Sequence, residues 1–218
     1  MKYTTAVFDL DGTITDSCPG ILNSIRYALK KRGIDDPGEE VLRSFIGPPL
    51  QRQFQTVFGL TEKEGAEMVS IYREYYGEQG IFENCVYDGV PGMLEQLRKA
   101  GVRILMATSK PEEYARRIAE HFDFEKYFDY IGGACMNGTR TVKHEVIEYV
   151  LEVCGVSETD REKTVMIGDR HHDIEGAKQS GLHSLGVLYG YGSREELEKA
   201  GAEFLACTPS EVAGQILG

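Results

Sequence analysis

The stretch Val7-Phe8-Asp9-Leu10-Asp11-Gly12-Thr13 sets two carboxylates two residues apart, where an apolar run gives way to a glycine turn. Side chains alternate in an extended chain. Asp9 and Asp11 therefore leave the strand end on the same side, while Phe8 and Leu10 point back into packing. Two acids so placed repel each other. A divalent cation removes that repulsion, and magnesium suits the site because it prefers oxygen ligands and keeps positions open for water and phosphate. One carboxylate can then act as nucleophile while the other moves protons. The same residues also fit an Asx-rich turn capping a strand, so the motif alone leaves both readings open.

The chain's 218 residues exceed the usual size of one domain and fall short of two large ones, which fits a core domain with a smaller insertion. A hydrophobic content of 41% and a charged content of 27% are ordinary for a folded globular chain with a sizeable core. A net charge of −11 repels nucleic-acid polymers and anionic membranes, so phosphate recognition must come from local cations rather than the global field. Cys18, Cys85, Cys135, Cys154 and Cys207 are scattered, odd in number and free of any C-x-x-C pair, which speaks against a disulfide framework or a zinc knuckle. Neither a signal-peptide pattern nor an apolar run of membrane-spanning length occurs, and the expectation is a cytoplasmic enzyme.

Outward from the quoted stretch, Thr4 to Leu10 reads as a buried strand. Asp16 or Ser17 caps a helix whose apolar face is Ile21, Ile25 and Leu29 and which Gly33 ends. From there to Gly80 only helical patterns appear: Glu39 to Phe45, Leu50 to Phe58, and Thr61 to Tyr76 with Met68, Ile71, Tyr72 and Tyr75 on one face. So long a helical block exceeds a simple crossover and predicts an inserted all-α cap over residues 16–85. Gly89-Val90-Pro91-Gly92 marks the return to the core, expected over residues 1–15 and 86–218. Strands then alternate with helices: Val102 to Ala107, near Tyr130-Ile131, Thr164 to Ile167, and Ser184 to Leu188, with a last helix after Pro209. Such alternation predicts an α/β fold, a parallel Rossmann-like sheet sandwiched by helices.

In such sheets ligands bind beyond the carboxyl ends of the strands, so residues directly following the strands converge. Asp9 and Asp11 follow the first, Thr108 and Ser109 the second, and Asp169 and Asp173 the fourth; Lys143 opens the helix after the third. Each has an ordinary reading as a helix cap, a surface charge or a turn acid. Their joint placement supplies a magnesium site, hydroxyl donors and a cation, the parts of one phosphoryl-transfer site. His171 and His172 invite a zinc reading. Adjacent side chains diverge, however, and a carboxylate-rich site favours a hard ion, so they are read as loop or supporting residues.

These residues resemble the haloacid-dehalogenase superfamily of aspartate-nucleophile phosphatases, in its phosphoglycolate-phosphatase-like branch with a helical cap. Asp9-x-Asp11-Gly12-Thr13 looks like the first motif, Thr108 the second, Lys143 the third and Gly168-Asp169-x-x-x-Asp173 the fourth. Asp16-Ser17, Gly47-Pro48-Pro49-Leu50 and Gly190-Tyr191-Gly192-Ser193 extend the likeness along the chain. The resemblance implies that Asp9 attacks phosphorus to form an aspartyl-phosphate and that Asp11 protonates the leaving alcohol and later deprotonates water. It implies Mg²⁺ held by Asp9, the main-chain carbonyl of Asp11 and Asp169, with Asp173 ordering a metal-bound water or Lys143. Thr108 and the amides around Leu10 and Ser109 would hold the phosphoryl oxygens, and Lys143 would offset their charge. Ser109 departs from the asparagine many relatives carry. Asp11 argues against dehalogenation, because dehalogenating members lack an acid there.

The favoured expectation is a magnesium-dependent phosphatase acting on a small phosphorylated metabolite of phosphoglycolate type. A 5′-nucleotidase is the alternative, since Thr139-Arg140-Thr141-Val142-Lys143 looks like the corresponding run of some nucleotidases of the family. A phosphomutase is disfavoured because Ser17 to Ala28 holds neither His nor Lys. A signalling receiver is disfavoured by the position of the acid pair on the first strand and by the large insertion. Arg52, beside the Gly-Pro-Pro-Leu loop, is a candidate ligand for a substrate anion. Nothing in the sequence indicates an oligomeric state.

Overall fold

The chain is described by a computed structural model covering residues 1–136 and 139–218. The strand that opens the quoted stretch, β1 (Thr5–Phe8), is apolar and buried along its length, as a central parallel strand covered on both faces must be. It lies inside a six-stranded sheet. In spatial order the sheet runs β5 (Tyr130–Ala134), β4 (Arg103–Pro111), β1, β6 (Thr164–Gly168), β7 (His183–Val187) and β8 (Phe204–Ala206), and its recorded pairings are parallel. Phe8 pairs with Met106 on one side and Ile167 on the other, so β1 and β6 reach their carboxyl ends together while β4 runs on to Pro111. The chain builds outward from β1 to β4 and β5, then crosses back to β6. That reversal leaves a crevice beside β1.

Two compact units make up the chain, Met1–Asp16 with Val86–Gly218, and Ser17–Cys85. Strands of two residues, β2 (Thr15–Asp16) and β3 (Cys85–Val86), stand at the two points where the chain passes between them. In the first unit the strands are joined by α5 (Val90–Lys99), α6 (Glu112–His121), α7 (Lys143–Val153), α8 (Glu158–Arg161), α9 (His171–Gln179), α10 (Arg194–Ala200) and α11 (Pro209–Leu217). Val146, Ile147, Val150 and Leu151 form the buried stripe of α7 and pack with Val7, Leu105, Ala107 and Met166 of the sheet. Each such side chain contributes about 1.5–3 kcal/mol on burial. This packing fixes α7, and with it Lys143 at its first turn.

The second unit is helical among the described residues: α1 (Cys18–Arg32), α2 (Glu39–Arg43), α3 (Leu50–Phe58), α4 (Glu62–Glu78) and a 3₁₀ turn at Gly80–Phe82. Pro19 sits in the first turn of α1, and Gly33, at φ 66°, closes it by donating to Lys30 O. Thr61 and Glu64 cap α4 reciprocally. Phe45 and Phe54 meet edge to face, with ring centroids 5.0 Å apart. Arg32 and Glu67 tie α1 to α4 at 2.9 Å.

Several boundaries differ from the sequence expectation. β1 ends at Phe8 rather than Leu10, because Leu10 O accepts bonds from the amides of Thr13, Ile14 and Thr15 and turns the chain. β4 continues to Pro111, with its register against β5 shifting between Thr108 and Pro111, so Thr108 and Ser109 lie within the strand rather than after it. α9 begins at His171, which places Asp173 in its first turn instead of a loop. Tyr76 is buried on α4, whereas Tyr75 is partly buried and donates to Glu83. The short elements α8, α10 and β8 were not expected; α10 buries only Leu197 and β8 is a three-residue strand at the sheet edge.

Candidate active site

Beyond Phe8 the ladder continues for one bond, from Asp9 N to Ile167 O at 2.9 Å, and then the chain turns through Leu10 and Gly12. Gly12 adopts φ 82°, and a Cβ there would lie 2.2 Å from Asp169 Oδ2. Only glycine meets both demands. Gly168, which ends β6, is similarly constrained: a Cβ would lie 2.2 Å from Asp173 Cγ. Close backbone approach at these two positions lets carboxylates from separate strands gather.

Asp9, Asp169 and Asp173 each offer an oxygen to one spot, with the offered atoms all within 4.8 Å of one another. Lys143 enters from α7, its side chain 3% exposed. Its Nζ lies 2.7 Å from Asp9 Oδ1 and 2.8 Å from Asp173 Oδ1, and it donates to Ala107 O at 3.0 Å. Asp173 Oδ2 also accepts from Arg170 N at 3.0 Å, and Asp169 Oδ2 accepts from Tyr191 N at 2.7 Å. Thr108 is buried and its Oγ1 accepts from Lys110 N at 3.2 Å; Ser109 is partly buried. The Leu10 amide acts on the Asp9 carboxyl in the direction that favours its charged form.

Burial is the main force on Asp169 and Asp9. It pushes Asp169 well above the ordinary carboxylate range, with Asp173 and Asp9 adding repulsion. It also raises Asp9, against the opposing pull of Lys143. For Lys143 burial works against the ammonium, but Asp173 and Asp9 more than offset it, so its pKa lies above the ordinary lysine value.

The residues fit a hard divalent cation. Asp169 Oδ1 is buried with no hydrogen-bond partner among the described residues, and the donor set is all carboxylate. Within the cluster the three carboxyl groups of Asp9, Asp169 and Asp173 gather around the Lys143 ammonium, an arrangement that a further cation would relieve.

Asp11 stands outside the three-carboxylate cluster: its Oδ1 pairs with Lys110 Nζ at 3.0 Å. Arg52 is exposed on α3, in the second unit. His171 and His172 belong to another network. Glu196 Oε1 accepts from Arg170 Nε at 2.8 Å and His171 N at 3.0 Å, and lies 2.8 Å from His171 Nδ1. His171 Nε2 is in turn 3.2 Å from His172 Nδ1. Burial, then His171 and Lys143, push His172 down to about 4, which keeps that imidazole neutral at ordinary pH.

Two contacts to the site lie outside the sequence expectation, those of Lys110 and the Tyr191 amide, and so does Glu196 in the neighbouring network. A sequence signal existed for Lys110. It follows Thr108 by two residues, the same spacing that put Asp9 and Asp11 on one side. Tyr191 and Glu196 act through contacts across more than twenty residues, which no local pattern reveals.

A family model for haloacid dehalogenase-like hydrolases matches residues 6–187. The chain is 44% identical over 197 residues to a 5′-nucleotidase of Pseudomonas aeruginosa, covering 90% of this chain and 88% of that protein. It is 29% identical over 185 residues to a phosphoglycolate phosphatase of Aquifex aeolicus, covering 85% and 84% of the two chains. Among solved structures it matches that of a predicted phosphatase from Clostridium acetobutylicum with a TM-score of 0.92 and 39% identity, over 100% of this chain and 99% of the other.

Proposed function

Since the chain belongs to the haloacid dehalogenase-like hydrolase family and is a phosphomonoester hydrolase of it, we propose that it works through an aspartyl-phosphate on Asp9, with Mg²⁺ as cofactor. The observation carrying this reading is the convergence of Asp9, Asp169 and Asp173 on one spot, with the buried Lys143 bridging two of them.

Asp9, Asp169 and the main-chain carbonyl of Asp11 would hold the ion, with Asp173 alongside. Bound there, it would shield the carboxylates from an approaching phosphate and offset charge on the transferring group. In the first step an Asp9 oxygen bonds to phosphorus as the ester oxygen–phosphorus bond breaks, and Asp11 gives its proton to the departing alkoxide. In the second, water bonds to phosphorus, Asp11 takes its proton, and the Asp9 oxygen–phosphorus bond breaks to release inorganic phosphate. Lys143, the Thr108 hydroxyl and the amides of Leu10 and Ser109 stabilise the phosphoryl oxygens, the dominant requirement in phosphoryl transfer.

The substrate is a small phosphomonoester. The helical unit acts as the cap that selects it, with Arg52 the candidate ligand for a substrate anion. Between the two substrate types expected from sequence, a nucleoside 5′-monophosphate has the greater support. The relative named 5′-nucleotidase is 44% identical and the one named phosphoglycolate phosphatase 29%.

Asp9→Asn assayed with 4-nitrophenyl phosphate and Mg²⁺ tests the nucleophile; near wild-type turnover would sink it. A panel comparing kcat/KM for nucleoside 5′-monophosphates, phosphoglycolate and hexose phosphates tests the substrate assignment. Preference for phosphoglycolate would reverse it, and isomerised sugar phosphate in place of free phosphate would identify a mutase.

A further inference from the structure

Two lysines enter the site, and they contact different acids. Lys143 contacts Asp9 and Asp173. Lys110 contacts Asp11, at 3.0 Å from Oδ1. The partners in this second pair differ in their surroundings: the Lys110 side chain is 5% exposed and that of Asp11 22%. Burying an ammonium is costly unless it is paired, so the lysine is fixed by its packing while the carboxylate lies nearer water. The backbone reinforces this asymmetry. β4 shifts register between Thr108 and Pro111, an irregularity of the kind that re-aims a side chain, and Lys110 N donates to Thr108 Oγ1. Asp11 follows the strand end and precedes a glycine turn, outside the carboxylate cluster that holds Asp9, Asp169 and Asp173 together.

We propose that Lys110 is a positioning residue for Asp11: its ammonium holds the Asp11 carboxyl group where it exchanges protons with the leaving alcohol and the attacking water. This rests on the reading of Asp11 as the acid–base group. Proton transfer requires hydrogen-bond reach to the reacting atom, and a carboxyl group free to rotate away loses that reach. Lys143 serves the phosphoryl group and the nucleophile; Lys110 serves the proton.

The test reads dependence on the leaving group. 4-Nitrophenyl phosphate departs as a stable phenolate that needs no proton, whereas an alkyl phosphate such as a nucleoside 5′-monophosphate departs as an alkoxide that does. kcat/KM reports the step in which that group leaves. In Lys110→Met the alkyl kcat/KM should fall about tenfold or more, and the ratio of alkyl to aryl values should drop at least about fivefold. Lys110→Arg should recover most of the ratio. Lys110→Gln, read in the same way, serves if the methionine variant does not fold by thermal melting. An equal proportional loss on both substrates would overturn the proposal, as would a rise in KM alone, the mark of a phosphate ligand. Asp11→Asn distinguishes the two levels. If it leaves the ratio unchanged, Asp11 is not the acid and the underlying reading fails; if it collapses the ratio while Lys110→Met does not, only the role of Lys110 fails.

Discussion

The ammonium of Lys143 stands 2.7 Å from the carboxylate of Asp9, with the lysine side chain 3% exposed. The two residues are 134 positions apart in the chain. A buried pair of this kind contributes little net stability, but removing one partner leaves the other charged and desolvated.

Lys143→Met should therefore destabilise the protein by about 3–5 kcal/mol in the absence of divalent cations, measured by urea unfolding. Added Mg²⁺ should return part of that loss, because the carboxylates left behind gain a cation that binds only the folded chain. Turnover should fall about a hundredfold or more even where the variant is fully folded.

The acid cluster should make stability depend on pH and Mg²⁺ together. A carboxyl whose pKa is raised by folding adds stability below its unfolded value, here 3.8, and loses that contribution as pH climbs through the raised folded value. Asp169, raised by burial, and Asp9, raised in the same direction, should thus weaken the cation-free protein as pH rises above 3.8. The gain in Tm on adding Mg²⁺ should be larger at pH 8 than at pH 5, and Asp169→Asn should lower Mg²⁺ affinity at least about tenfold by calorimetric titration.

Gly12→Ala should cost more than about 1 kcal/mol in urea unfolding, since alanine must adopt φ 82° with its Cβ 2.2 Å from Asp169 Oδ2. It should also weaken Mg²⁺ binding, because Asp169 has to move. Gly33→Ala, at φ 66° with nothing within 4 Å of the added carbon, is the control: strained in conformation, with Mg²⁺ affinity unchanged.

Glu196 carries a prediction for the acid side. Burial raises its pKa, but bonds from the His171 amide, the Arg170 side chain and the His171 side chain outweigh that and hold it at about 2. A carboxylate with a depressed folded pKa contributes stability above its unfolded value, 4.5, and loses it as pH falls toward 2. Glu196→Gln should lower Tm near neutral pH and flatten its decline between pH 4.5 and pH 2, as read by thermal melts across that range.

Much of the architecture was legible because it rests on local chemistry. The apolar run into β1, the glycine after α1 and the regular strand–helix alternation after Gly89 each announce themselves within a few residues. The elements that were missed are those with little burial to imprint a pattern: α10 is charged along most of its length and β8 is three residues at an edge. At the candidate site, Asp9 and Asp169 directly follow strands and Lys143 and Asp173 stand in the first turns of helices, positions a local pattern marks, whereas Thr108 lies inside β4 and not beyond its end. Lys110 lies beyond Ala107, where the apolar pattern ends; β4 runs on to Pro111 and carries it to Asp11. Tyr191 reaches the site through the fold alone, its amide bonding Asp169, and Glu196 likewise reaches His171 in the neighbouring network.

The proposed mechanism has Asp9 carry the phosphoryl group in the course of turnover. It is tested most directly by rapid acid quench during steady-state hydrolysis of a radiolabelled phosphomonoester with Mg²⁺, followed by proteolysis and mass analysis. Label should appear on the peptide containing Asp9 and be lost in Asp9→Asn together with turnover. Label on any other residue, or an Asp9→Asn protein that continues to turn over at near the wild-type rate, would contradict it.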